Sequence, residues 1–263
     1  MKTRKSYMML ILLLACVNIY TQNSDKSKEP GFGFNAGISH FQVKERNING
    51  LVHRGPGFNA AAVYTHSSTN AMQRFELMGE INFLKTKFDS ETGTYLIRSS
   101  INYLYNRHVS SFNGGIDLFL GGTASLDASQ GIYESWDVNH FYWLTSYSLG
   151  FTGTIRYKLS ERNAITLDFG TPLLSVISRT PSRQLYHEDN PEFTYVVEKI
   201  HENPSLESWP NHLSLELKLA YHMKVKEKFS QTLFWKFNYV NNNVSNSNQF
   251  KFITHAFGIE FLF

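Results

Sequence analysis

From Gly31 to the C-terminus the chain is built of stretches in which apolar and polar residues take turns one for one. The clearest is Gln73–Thr86, where Phe75, Leu77, Gly79, Ile81 and Phe83 alternate with Arg74, Glu76, Met78, Glu80 and Asn82. Side chains on a β-strand point to opposite faces in turn, so this is a strand with one apolar and one polar face. Similar stretches fall at Gly31–Phe41, Gly57–His66, Thr94–Arg107, Phe112–Thr123 and His140–Lys158. A seventh begins near Asn163, and Asn211–Met223, Phe229–Val240 and a terminal stretch follow. No segment of useful length repeats at the helical period.

A soluble sandwich hides such apolar faces in one core. Here nearly every segment has its own, about ten residues long with aromatic residues near the ends, which is the pattern of strands crossing a membrane. Backbone groups in lipid must all be paired, so the sheet has to close. The expected fold is all-β: a transmembrane antiparallel up-and-down barrel over residues 31–263. The 21 Phe and 14 Tyr suit its lipid face. The slightly negative mean hydropathy suits a polar inside and argues against a helical membrane protein, which needs runs of about 20 apolar residues. The polar face carries Glu76, Glu80, Arg98, Asn102, Asp117, Asp168, Glu216, Lys218 and Lys236, which should line the lumen. A net charge of only +3 gives no reason to expect nucleic acid.

The connections support this reading. Those at Ser67–Met72, Val109–Ser111, Ser160–Arg162 and Lys224–Lys228 are short, while Gln42–Pro56, Ala124–Asn139 and Thr180–Pro210 are long. Shorter links at Asp89–Gly93 and Asn241–Asn248 share the long-loop side. Short turns belong to the periplasm and long loops to the outside, and ten strands keep that parity. Gly170–Pro210 is the ambiguous stretch. Thr171–Ile177 and Phe193–Ile200 form either a hairpin raised above the membrane, or, with Thr171-Pro172 as a tight turn, two further crossings that make twelve. Ten is the preferred count.

The chain ends on Thr254-His-Ala-Phe-Gly-Ile-Glu-Phe-Leu-Phe263, an alternating strand with an aromatic terminus. Gly258, Phe261 and Phe263 resemble the C-terminal assembly signal of bacterial outer-membrane β-barrels, in which a polar residue and Gly precede two aromatics. Ala256 takes the polar position, a departure from the pattern. The resemblance implies the outer membrane, the barrel-assembly machinery as a partner, and outer-membrane lipid and lipopolysaccharide as surroundings. In its use of Asn, Tyr and Lys the chain also resembles barrels of the Bacteroidetes group.

Lys2, Arg4 and Lys5 precede the apolar run Tyr7–Val17, so residues 1–22 read as a signal peptide cleaved near Thr21 or Gln22. Residues 23–30 then form a short polar, disordered lead-in. Leu13-Leu-Ala-Cys16 resembles a lipobox with an uncommon Leu14, which would put lipid on Cys16. The plainer reading is a cysteine lost on cleavage, leaving no thiol in the mature chain.

Signs of catalysis are weak, and neither a cofactor nor a metal is expected. His66-Ser-Ser-Thr-Asn70 resembles the His-x-Ser-Asn motif of outer-membrane lipid hydrolases but falls in a periplasmic turn, where Ser and Asn are ordinary. Folding about Lys224–Lys228 places His222 opposite Ser230, and Ser230 near Glu260. A hydroxyl nucleophile needs such a base, but the acid should orient the His rather than flank the Ser, so a hydrogen-bond cluster is the plainer reading. Glu76 and Glu80 lie about 13 Å apart along a strand, too far for a glycosidase pair. His187, His201 and His212, with Glu188, Asp189, Glu192, Glu198, Glu202 and Glu207, form a set able to hold a cation, although loop acids are usually solvated. A turn centred on Lys226 sets Glu216 directly opposite Lys236, with Cβ atoms about 5 Å apart. Three functions compete: a narrow pore or passive transporter of small solutes, a structural barrel displaying binding loops, and a surface lipid-modifying hydrolase. The charged inner face favours the first.

Overall fold

The structure, a computed structural model, describes residues 31–45, 51–87, 94–133, 140–179, 201, 204–209, 211–243 and 249–263. These hold eleven strands: β1 Gly31–Glu45, β2 Val52–Ser67, β3 Ala71–Thr86, β4 Thr94–Phe112, β5 Ile116–Tyr133 and β6 His140–Lys158. β7 Asn163–Arg179, β8 Ser205–Ser208, β9 His212–Lys226, β10 Phe229–Asn243 and β11 Gln249–Leu262 complete them. Ten of them run antiparallel in a closed ring, β1 pairing with β11, while β8 is an extra short strand on the upper part of β7. The ring is the expected barrel.

Closure is tight. Phe32 and Phe263 exchange both backbone hydrogen bonds, at 3.3 and 2.8 Å. Next to them Phe34 packs 5.3 Å from Phe261 and 6.2 Å from Phe263, and Phe229 packs 5.3 Å from Phe263. A Cβ on Gly33 would lie 1.9 Å from the Phe261 carbonyl oxygen, so only glycine permits this approach.

The two faces sort as the alternation dictates. Phe34, Phe58, Leu77, Ile97, Leu149 and Phe257 are exposed on the outside, while Asn35, Asn59, Glu76, Glu80, Arg98 and Ser100 are buried inside. Strands outrun their expected ends because pairing continues where the contrast weakens or inverts. β1 runs on through Phe41 and Val43, which point inward, with Gln42 and Lys44 outward. β5 occupies Ile116–Tyr133 rather than Phe112–Thr123, and the turn before it is Asn113-Gly114-Gly115 instead of Val109–Ser111. Gly114 and Gly115 take φ of 92° and 83°, the left-handed region a tight hairpin needs. Val109 is passed over as the register shifts between His108 and Ser110.

β7 continues straight through Thr171-Pro172 to Arg179, so the tight turn and the twelve-stranded alternative do not form. Pro172 is accommodated where the register with β6 shifts, which spares the ladder a missing donor. Leu174–Ile177 pair with Ser205–Ser208, and the stretch 193–200 lies outside the described residues. The signal-peptide, lead-in and Cys16 assignments likewise fall on residues outside those described.

The β9–β10 register also departs from expectation. Lys226 pairs with Phe229 and Lys224 with Ser230, leaving Val225 as an extra residue beside a two-residue turn. Glu216 therefore faces Asn238, and Lys236 faces Lys218. His222 faces Thr232 rather than Ser230, and Glu260 also faces Thr232. His66-Ser-Ser-Thr-Asn70 leads from β2 into a turn, in which the Ser68 hydroxyl accepts the Ala71 amide at 3.0 Å.

Candidate functional site

The inward faces of the ten ring strands meet in the barrel interior, which is layered. In the half nearer the short-turn end Ala61, Val63 and Met78 pack together, with Leu262 against them; Val63 pairs with Glu76, and Ala61 and Met78 stand one step above it. His222 lies at the same end, its ring nitrogens bonded to the hydroxyls of Thr166 (2.8 Å) and Thr232 (2.9 Å). Asp117 stands apart there, held by Lys158 at 2.8 Å and the Ser111 hydroxyl at 2.7 Å.

Most of this level is ionic. Arg74 on β3 reaches across the interior to β11, donating to both oxygens of Glu260 at 2.9 and 2.6 Å. It also donates to Glu76 on its own strand, at 2.6 Å. Lys218 adds a contact to Glu260 at 3.5 Å, and Lys236 lies 3.7 Å from Glu76 and 3.1 Å from Glu216. The Glu216–Lys236 ion pair thus exists, but along a diagonal rather than face to face. Higher up, Arg98 donates to Asp127 at 2.9 Å, lies 3.8 Å from Glu80, and covers the Phe252 ring at 5.2 Å. Asp168 accepts a hydrogen bond from Thr154 at 2.7 Å, and Asn102 donates to Ser100 at 3.2 Å.

Above the charges, towards the long-loop end, the inside turns apolar. Phe41, Val43, Leu84, Leu96, Tyr142, Leu144, Ile177, Val240, Phe250 and Phe252 form one buried cluster. Between this layer and the ionic one lies a chamber of about 130 Å³, and beside it a cavity of about 70 Å³. Arg98, Asn238 and Glu216 line both.

Of the nine residues expected inside, Glu76, Arg98, Asn102, Asp168 and Glu216 line the chamber. Glu80, Lys218 and Lys236 line the neighbouring cavity, and Asp117 belongs to neither. Sequence reasoning passed over Arg74, which shares a face with Glu76 and Glu80, and Asp127, assigned to a loop because β5 was cut short. The pairing of Glu260 with Arg74, across the barrel, left no mark in local sequence.

No nucleophile and base meet at the residues singled out for catalysis. Ser230 faces Lys224, Glu260 is taken up by Arg74 and Lys218, and both nitrogens of His222 are occupied. Glu76 and Glu80 are engaged by different arginines. Of the described members of the histidine set, His201 bonds Tyr147 on the wall at 2.5 Å, Glu207 is buried on β8, and His212 is buried facing the chamber. His187, Glu188, Asp189, Glu192, Glu198 and Glu202 lie outside the described residues.

No protein-family model matches the sequence, and no curated protein matches it. Solved structures similar to it include the translocator domain of the autotransporter NalP from Neisseria meningitidis, at 9% identity over 97% of this chain and 95% of that one, with a TM-score of 0.41. The outer membrane protease OmpT from Escherichia coli is similar at 12% identity over 92% of this chain and 100% of that one, TM-score 0.43. Ail of Yersinia pestis, solved with the heparin analogue sucrose octasulfate, shows 11% identity over 90% and 100%, TM-score 0.27. Identities and TM-scores of this order say nothing about activity or ligand.

Proposed function

We propose that the protein is an outer-membrane barrel with a filled interior, a membrane-held platform for its long extracellular connections rather than an open pore. The observation that carries this reading is the apolar layer across the long-loop end. Phe41, Leu84, Leu96, Tyr142 and Phe250 are buried there to 1% exposure or less, above charges that are paired with one another. An ion crossing the barrel would have to separate those pairs and then pass a level filled by buried, mainly apolar side chains. Barrels of about eight strands are filled by side chains and those of sixteen hold water, so ten strands belong near the filled end.

The membrane location is supported by the closed sheet with its exposed apolar outside, since lipid admits no unpaired edge. In this reading residues 1–22 direct export, the assembly machinery reads Gly258, Phe261 and Phe263, and lipid and lipopolysaccharide surround the wall. Catalysis has no part in it. Planar-bilayer recording of the refolded protein tests it: a silent bilayer is expected, and reproducible single-channel steps would establish the pore instead.

A further inference from the structure

Above Gly170 the wall of the barrel parts. β7 pairs with β9 from Asn163↔Met223 up to Gly170↔Glu216, and its next ladder partner on that side is Ser208 of β8, opposite Leu174. β9 meanwhile stays on β10 as far as His212↔Asn242. Between the two ladders β7 runs four residue steps, about 13 Å of strand. A side-chain bond crosses the gap, from the Thr171 hydroxyl to the Ser214 carbonyl at 2.8 Å.

The parting coincides with the place where the chamber meets the wall, since Gly170, Thr171, Pro172 and Ser214 all line it. Outside, its rim is apolar: Leu173 is 59% exposed, Trp209 64% and Leu206 69%. Inside, among the described residues, buried polar atoms lack hydrogen-bond partners: Arg98 Nε, Asn238 Oδ1 and His212 Nδ1 at the chamber, and Glu80 Oε1 and Thr254 Oγ1 at the cavity beside it. All five residues are less than a tenth exposed. Such atoms are costly to leave unmet. They include both donors and acceptors, and the arginines and lysines nearby already have carboxylates. Hydroxyl groups, which donate and accept at once, answer that set better than a charged group does.

We propose that the parting is a side port for a single-chain, uncharged amphiphile with a small hydroxyl-bearing head. The head occupies the chamber and the tail lies outside along Leu173, Leu206 and Trp209. The apolar layer above and the ion-paired layer below leave the wall as the way in. This goes beyond the platform reading and does not depend on what the long connections bind.

The test uses the full folded protein in phosphatidylcholine nanodiscs doped with 1-monooleoylglycerol, and native mass spectrometry of the released barrel. Gly170→Leu fills the chamber cleanly, because an added Cβ meets nothing nearer than the Phe151 carbonyl oxygen at 3.7 Å; heat-modifiability confirms that the variant folds. Wild type should retain one monoacylglycerol, and Gly170→Leu about tenfold less, with Trp209→Ser also weakened. Retention of oleate as strong as that of the ester would overturn the uncharged head. Free glycerol bound as well as its ester would overturn the membrane route. Undiminished retention in Gly170→Leu, or none in wild type because water alone fills the chamber, would overturn the site.

Discussion

Replacing Arg74 with Met removes the cation that joins two carboxylates on strands three steps apart round the barrel. Glu260, 1% exposed, loses a two-pronged partner at 2.6 and 2.9 Å, and Glu76 loses one at 2.6 Å. What remains is Lys218 at 3.5 Å from Glu260 and Lys236 at 3.7 Å from Glu76, both beyond good hydrogen-bond length. Breaking one side of a buried pair costs about 3–5 kcal/mol, and the surviving lysines hold the loss near the lower figure. Arg74→Lys should recover only part, because an ammonium cannot grip both oxygens as a guanidinium does. Adding Glu260→Gln to Arg74→Met removes the stranded charge, so the double variant should be more stable than the sum of the single losses by roughly 0.5–3 kcal/mol. Urea unfolding in phospholipid vesicles, followed by tryptophan fluorescence, measures all four proteins. A loss under about 1 kcal/mol for Arg74→Met, or strict additivity in the double variant, would mean that the pair is solvated rather than buried.

Exchanging the charges of Glu216 and Lys236 should recover little of either single loss, since a carboxylate at position 236 would stand beside Glu76, now 3.7 Å from the lysine; full recovery in the same assay would restore the face-to-face register. Leu77→Arg, on the exposed face, should hinder insertion by about 2–4 kcal/mol if it lies at the membrane midplane, read as the folded yield into vesicles. Deleting Phe263 removes both backbone bonds to Phe32 and the packing on Phe34 and Phe229, so heat-modifiable product should accumulate more slowly in a pulse-chase experiment; normal kinetics would remove the C-terminus as a signal. Gly33→Val drives a side chain into the Phe261 carbonyl and should prevent closure, seen as loss of the compact fast-migrating band.

Barrel, strand count and faces were legible because a period-two pattern states which residues share a face, and closure follows from lipid. Register was not. It depends on where the turn sits and where an extra residue is inserted: the two-residue turn after Lys226 and the bulge at Val225 together moved the β9–β10 partners by two positions while leaving each side chain on its expected face. The Asn113-Gly114-Gly115 turn could have been found, since Asn-Gly is a strong hairpin signal. Weighting it would have extended β4 to Phe112 and brought β5 out of the loop as far as Tyr133, with Asp127 inside. The Arg74–Glu260 contact had no such signal. Its partners lie 186 residues apart and on strands that do not pair, so only closure of β1 on β11 and the curvature of the ring bring them together.

The inner apolar layer escaped sequence reading for a different reason. Polar-in and apolar-out describes a strand only while lipid lies outside. Where β1 climbs past that band the rule inverts, with Gln42 and Lys44 outward and Phe41 and Val43 inward, as in an ordinary water-soluble sheet. The same happens at Leu84 and Leu96, at Tyr142 and Leu144, and at Phe250 and Phe252, which all point into the one cluster. A window that scores alternation sees the phase slip and ends the first strand at Phe41 and starts the last only at Thr254, while Leu84, Leu96, Tyr142 and Leu144 pass as breaks in the pattern near strand ends. The slip instead marks the height at which the barrel acquires a core of its own. A barrel built only to conduct would have no use for that core, whereas one that must hold long connections steady above a membrane needs a rigid rim beneath them.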